Sequence, residues 1–516
     1  MNLGYAGRSQ LPGNLKQLFR LIAMVKPDKD IVVQVSLYSQ GYKTAERLSS
    51  KMLSLFELCR SQLSLQYHYD FGLRALKSVL ASTDNLKRKE DKEREVKIKD
   101  LDMSIEQLEQ NMLLKSVCNI LIPKLVNEDI TLFNSLLNGI FPDCKFQKLK
   151  EEELRQKIIE LCQLRNLLPE NKFIDKILQL YSIQKMHYGV MMVGQSGTGK
   201  SAAWRILLEA LTALDNIKGE SYIIDYKAVN KENLYGKLDQ TTLDWTDGIF
   251  TGTLRKILDN QRGESGKRHW IIFDGDVDPE WAENLNSVLD DNKMLILPYG
   301  DHLQIPPNVR IMFEVESLKY ASLATVSRCG MVWFSEDIVT IDMMFSHYLK
   351  RLKQNNFDDA MNYLANQGGA LIEFENKPDD INIQIRTKAA DSIKIFFEPN
   401  NLVQKALEAV EEYTHVMEFT RIRVIESMFT LLRKGTTNII EYNDNHSEFP
   451  MSDEQIFTYM SKWLIISIIW GFGGSLSLGN RINFSEKLKS FTSDIDFPND
   501  PNFQMIDYYV NVGENK

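Results

Sequence analysis

Eight consecutive residues constrain this chain more than any other stretch: Gly194, Gln195, Ser196, Gly197, Thr198, Gly199, Lys200 and Ser201 fit the pattern G-x-x-x-x-G-K-[ST]. Their surroundings are those the pattern requires. The apolar run Val190–Val193 has the length of a buried strand, and Ala202–Leu211 carries helical spacing. Glycines let the loop bend until several N–H groups face one anion, and the helix start adds its dipole. In such a loop Lys200 reaches the β- and γ-phosphates and the Ser201 hydroxyl ligates Mg²⁺. The expected ligand is therefore a nucleotide, such as ATP or ADP, with Mg²⁺.

At 516 residues the chain exceeds one core, so roughly three or four domains are expected. A net charge of −9 argues against a general nucleic-acid binder. Five thinly spread cysteines without a C-x-x-C pair and seven scattered histidines suggest a reduced chain with no evident metal cluster. The start lacks the charged and apolar regions of a signal peptide. The strongest apolar run, Trp463–Phe472, is shorter than the ~20 residues of a membrane span and reads as a buried core helix. A soluble, cytosolic, multidomain chain is the expectation, with no membrane insertion. Its opening in a glycine-rich turn suggests a piece of something longer.

Hydrophobic spacing divides the chain. Helical periodicity covers residues 42–63, 71–80, 105–126 and 150–162. The mixed-sign run 87–100 reads as a solvated helix or an insertion. From about residue 188 strands and helices alternate: Val190–Val193, Tyr222–Asp225, Trp270–Phe273, Val309–Val315 and Met331–Phe334 are candidate strands. Helices are expected at Thr251–Asp259 and Pro279–Leu289, and a hairpin around Tyr299 before the fourth strand. Alternation of this kind implies a parallel sheet with helices on both faces. Beyond residue 345 the pattern is helical again.

A phosphate-binding loop needs a carboxylate at the end of a neighbouring buried strand to hold Mg²⁺, and Asp274 after Trp270–Phe273 supplies it. AAA+ ATPases normally place a glutamate next, to orient and deprotonate the attacking water. Here that residue is Gly275, so nucleotide binding with little or no hydrolysis is expected, unless Asp276 stands in as the base. Glu314 ends its strand where a γ-phosphate sensor is expected. Arg328, before the last strand, has the position of an arginine finger, which would act on a neighbouring module's nucleotide.

Beyond these residues the chain resembles a segment of the dynein heavy chain family, of the cytoplasmic kind, essentially end to end. The resemblance rests on Gly4–Ser9, Asn14–Lys16, Leu18–Arg20, His68–Leu80, Trp281–Asn292, Ala324–Phe334 and Val416–Arg421. Dynein heavy chains carry six AAA+ modules in one ring. The resemblance implies the end of the first module, mainly its helical lid, over residues 1–125. It implies the α/β P-loop large subdomain of the second module over 126–345 and that module's all-α small subdomain over 346–516. It further implies that Asn2 is the first module's γ-phosphate sensor and Arg74 its lid sensor. Arg20 would be the first module's finger towards the sixth, and Arg328 the finger offered by the second module to the first. Either Arg421 or Arg423 would be the second module's lid sensor. The family's second module binds ATP without turning it over, in keeping with Gly275. Asn2-Leu3-Gly4 departs from the usual Asn-Pro-Gly.

The function so implied is an ATP-binding segment of a minus-end-directed microtubule motor, in the cytoplasm and on the cytoskeleton. Its partners would be the remaining modules and linker, and through the whole motor microtubules and the intermediate and light chains. An independent oligomeric AAA+ ATPase or remodelling chaperone is the alternative. Whether the segment is itself an enzyme stays open at this point.

Overall fold

The computed structural model describes residues 13–512, apart from 97–104, 143–150, 355–379, 493–504 and positions 21, 23, 26, 240, 243, 260, 265, 291, 298, 299 and 418. The chain divides into two compact units. One comprises residues 1–161 and 169–338, the other 162–168 and 339–516.

The first unit is built on a five-stranded parallel sheet. Among the described residues the strands are β1 (Gly189–Val193), β2 (Gly219–Asp225), β3 (Gly236–Leu238), β4 (Trp245–Asp247), β5 (Arg268–Asp274), β6 (Met294–Ile296), β7 (His302–Gln304), β8 (Val309–Val315) and β9 (Gly330–Trp333). The sheet order is β2-β5-β8-β1-β9. All five residues of β1 are buried, as are all but the ends of β5. A strand covered on both faces can carry such an unbroken apolar run, whereas alternation marks a strand with one wet face. Phe273 of β5 stacks on Phe313 of β8 with centroids 5.5 Å apart, and both belong to the core on one face of the sheet.

Each expected strand is present, with small shifts at the ends. The expected hairpin is β6–β7, antiparallel, with Leu295 opposite Leu303. A second hairpin, β3–β4, leaves no pattern in the sequence because each strand has only three residues. The single helix expected over Pro279–Leu289 is instead broken into Pro279–Ala282, the 3-10 turn Glu283–Leu285 and Asn286–Leu289.

Helices Ala45–Gln62, Leu73–Val96, Ile105–Leu121 and Asn127–Ile140 enclose a separate apolar core that includes Leu48, Met52, Leu76, Val117 and Phe133. The first of these lacks a side-chain cap of its own. Glu109 from the third helix instead holds the residues just before its start, accepting hydrogen bonds from Lys43 N (2.9 Å), Thr44 N (3.0 Å) and Thr44 Oγ1 (2.6 Å). The charged run continues the second helix as far as Val96. This helical layer meets the sheet where the His68 ring stacks on Trp333 of β9, 4.7 Å between centroids.

Among its described residues the second unit is built of helices: Ile341–Gln354, Asp380–Lys394, Leu402–Glu411, Arg421–Asn445, Asp453–Gly473 and Leu478–Phe491 share one core. The Asp453–Gly473 helix opens with a capping box between Ser452 and Gln455. At 21 residues it is longer than its apolar run suggested, and by length and composition alone it could cross a membrane. Leu464, Ile468 and Phe472 are nevertheless fully buried in the helical core, as expected of a core helix.

Candidate nucleotide site

The glycine-rich loop joins β1 to the 16-residue helix Lys200–Asp215. Gly197 and Gly199 have φ of 82° and 89°, a region that favours glycine. Gly194 is required for a different reason: a Cβ there would lie 2.2 Å from the Phe334 carbonyl oxygen. Thr198 is fully buried and its hydroxyl donates to Gln195 O at 2.8 Å, while Gln195, Ser196 and Gly197 face solvent. Lys200 is folded back on the loop, its ammonium donating to the carbonyls of Gly194 and Gln195. Burial holds the Lys200 ammonium below its usual range, against the opposing pull of Glu314, Glu316, Asp274 and Asp276. A glycine-rich loop running straight into a helix N-terminus, with a lysine at its end, is an arrangement that suits a phosphate chain.

Asp274 and Glu314 are register partners at the ends of β5 and β8. Ser201 Oγ donates to Glu314 Oε1, and Trp204 Nε1 donates to Glu314 Oε2 at 3.2 Å. The site thus offers one hydroxyl and two neighbouring carboxylates, the all-oxygen donor set that suits Mg²⁺.

Gly275 has φ of 130°, and a Cβ at this position would sit 2.7 Å from the Tyr226 ring. That ring stacks on Trp281 with centroids 4.5 Å apart. Tyr226 follows Asp225 at the end of β2, the strand paired with β5. Asp276 is turned to other partners: Oδ1 accepts from Glu316 N (3.3 Å) and Ser317 N (3.1 Å), and Oδ2 lies 3.6 Å from Lys227 Nζ. Neither Tyr226 nor Trp204 was singled out from the sequence. Only the adjacency of β2 and β5 makes Tyr226 relevant, and the pattern gives no signal for that.

A second cluster lies in the same unit, around an open cleft of about 330 Å³ lined by Arg74, Lys77, Lys293, Arg310, Arg328 and Asp290 among others. Arg328 donates from Nε to Asp290 Oδ1 (2.7 Å) and from Nη1 to Ala324 O (2.8 Å). Arg74 donates to Ser327 Oγ at 2.6 Å. Asn2 lies outside the described residues, and Arg20 is exposed. In the helical unit Arg421 pairs with Glu411 through two hydrogen bonds, one of 2.8 Å from Nη2 to Oε2.

Three family profiles match the chain. They are described as "Hydrolytic ATP binding site of dynein motor region" over residues 1–201, "AAA domain (dynein-related subfamily)" over 189–329, and "Dynein heavy chain AAA lid domain" over 393–516. Among curated relatives, the cytoplasmic dynein heavy chain of Paramecium tetraurelia is 52% identical over 524 residues, covering 100% of this chain. That of Dictyostelium discoideum is 47% identical over 95% of the chain, and that of Drosophila melanogaster 45% identical over 99%. The chain spans 11% of the length of each of these three relatives. A parallel sheet of this order, flanked by helical lid-like regions and carrying a phosphate-binding loop, has the AAA+ architecture that these profiles describe. Along its whole length, then, the chain matches a segment of the AAA+ motor region of dynein heavy chains.

Proposed function

We propose that this chain is the part of a dynein motor in which the second AAA+ module holds ATP with Mg²⁺ and turns it over little or not at all. Lys200 and the loop amides bind the phosphates, and Ser201 and Asp274 hold the cation. The observation that carries the reading is the position after Asp274. A catalytic base must reach the attacking water within hydrogen-bond distance. Gly275 offers no carboxylate, its Cβ direction is filled by Tyr226, and Asp276 is engaged by two backbone amides and Lys227.

On the same reading Arg328 and Arg74 serve the first module's nucleotide. A guanidinium stabilises charge on a phosphoryl group in transfer, and the cleft they share is rich in cations. Asn2 is proposed as that module's γ-phosphate sensor. The remaining modules and linker are the direct partners. Microtubules, the intermediate and light chains and a cytoplasmic, microtubule-associated location follow for the whole motor.

The test pairs equilibrium binding of labelled ATP with phosphate release over hours, using Lys200→Ala as the control. Tight binding that the substitution abolishes, with no turnover, is the expected result. Turnover near ~1 s⁻¹ or above would overturn it and favour an independent ATPase.

A further inference from the structure

Glu314 is an unusual neighbour for a triphosphate. The residue at the end of the strand beside the phosphate-binding loop is expected to be a polar group able to touch the γ-phosphate, yet here it carries a negative charge. Like charges at such range disfavour one another unless a cation lies between them. Two contacts fix the carboxylate beside the loop: Ser201 Oγ donates to one oxygen and Trp204 Nε1 to the other, the latter at 3.2 Å. Ser201 is the hydroxyl that such loops present to Mg²⁺. Asp274, the acidic residue expected to hold the same ion, is the register partner of Glu314 on the adjacent strand, about 4.8 Å away in the pairing direction. Glu314 and Asp274 both act on the Lys200 ammonium, but that group is folded back onto Gly194 O and Gln195 O.

We propose that Glu314 belongs to the divalent-cation shell of this nucleotide site, so that metal-free nucleotide is repelled and only the metal complex is held well. Ser201, Asp274 and Glu314 then act together as oxygen donors, directly or through water, which is how Mg²⁺ is commonly held. Trp204 keeps the Glu314 carboxylate in place. The inference rests on the proposed reading of the loop as a site for Mg²⁺-nucleotide.

The experiment measures binding of a fluorescent ATP analogue to the full 516-residue chain in Mg²⁺ and in EDTA, for the wild type and Glu314→Gln. The wild type is expected to bind at least about tenfold more weakly in EDTA, a difference of ~1.4 kcal/mol. Glu314→Gln should shrink that ratio, chiefly by tightening the metal-free complex. Binding of Mn²⁺ to the protein–nucleotide complex, read by electron paramagnetic resonance, should weaken in the same variant by about tenfold. Trp204→Phe, which leaves the carboxylate but removes one of its anchors, should fall between the two. A ratio and a Mn²⁺ affinity unchanged by Glu314→Gln would overturn the inference while leaving the nucleotide site intact. Absence of any nucleotide binding by the wild type in Mg²⁺ would instead overturn the reading beneath it. A Glu314→Gln protein whose unfolding curve departs from wild type would be replaced by Glu314→Asp, which keeps the charge and should keep the ratio; loss of the ratio there would also overturn the inference.

Discussion

Arg74 and Arg328 come from elements some 250 residues apart in sequence and are anchored on one short turn. Arg328 donates to the Ala324 carbonyl and Arg74 to the hydroxyl of Ser327. Asp290 holds Arg328 from the other side, at Nε. An arginine restrained in this way loses little freedom when it meets an anion, and such preorganisation is what phosphoryl transfer rewards. At the matching positions of a complete motor, Arg328→Ala is expected to lower ATP turnover by about 10³-fold or more without weakening nucleotide binding at the Lys200 site. Asp290→Ala should lower turnover by between about tenfold and a hundredfold, and Asp290→Asn, which still accepts from Nε, should recover most of the loss. Steady-state ATPase assays beside nucleotide binding would read both. An undiminished rate in Arg328→Ala would remove the finger assignment.

Restoring the missing glutamate should fail in this chain. Gly275→Glu places a side chain at φ of 130° against the Tyr226 ring, and strain of this kind costs about 1–3 kcal/mol. The variant is expected to melt lower than wild type and to release no more phosphate. Adding Tyr226→Ala should return part of the melting temperature, because the ring clash disappears while the backbone strain stays. Rapid turnover in Gly275→Glu alone would show that the ring yields and that the position was merely missing its carboxylate.

Acid should loosen the junction between the helical layer and the sheet. His68 is buried, with Nε2 3.0 Å from Lys124 O and its ring on Trp333. Burial lowers its pKa from 6.5 to about 4, outweighing the hydrogen bond to the Lys124 carbonyl that pulls upward. Between these values the unfolded chain binds a proton that the folded chain refuses, so stability rises with pH. The contribution is complete above about pH 6.5 and is lost as pH falls towards 4. At pH 5 the loss amounts to about 2 kcal/mol. Protection factors of amides in peptides spanning residues 64–80 and 330–334, taken relative to the intrinsic exchange rate at each pH, should fall accordingly between pH 7 and pH 5. His68→Gln should flatten that dependence; an equal slope in the variant would assign it to other groups.

The residue pattern of the candidate site was more legible in the sequence than its geometry. The loop 194–201, Asp274 and the absent glutamate at Gly275 could all be read from spacing, because a phosphate cradle requires particular residues in one local order. The five sheet strands could be read for a similar reason: buried parallel strands are short apolar runs, and each run sits between turn residues. What joins them could not. Glu314 meets Ser201, and Tyr226 fills the space at Gly275, only because the sheet order is β2-β5-β8-β1-β9. Sheet order depends on pairings distant in sequence, to which a local pattern is blind. Hairpin β3–β4 was missed because three residues are too few to establish an alternation. The run after residue 87 could be a solvated helix or an insertion by charge alone. The structure continues it as helix to Val96, an extension of the buried periodicity of Leu76 and Leu80.

The helical unit supplies a test in which local propensity and packing pull apart. Gly435 lies inside the helix Arg421–Asn445, where alanine would ordinarily gain about 1 kcal/mol. Its missing side chain is what admits Trp463 from the helix Asp453–Gly473. A Cβ at 435 would stand 2.4 Å from Trp463 Cδ1 and 2.6 Å from Nε1. The indole N–H also donates to Leu431 O at 2.7 Å, so the ring cannot shift without losing that bond. Overpacking of this kind costs about 1–3 kcal/mol, and the hydrogen bond about 1 kcal/mol more. Gly435→Ala is therefore expected to destabilise the unit despite the better helix former. The measurement is a double-mutant cycle with Trp463→Ala, read by urea unfolding. In the Trp463→Ala background the space is open and Gly435→Ala should become neutral or stabilising, a coupling of more than ~1 kcal/mol. Equal effects in both backgrounds would mean that the two helices separate freely at this contact, and that the glycine is not what sets their approach.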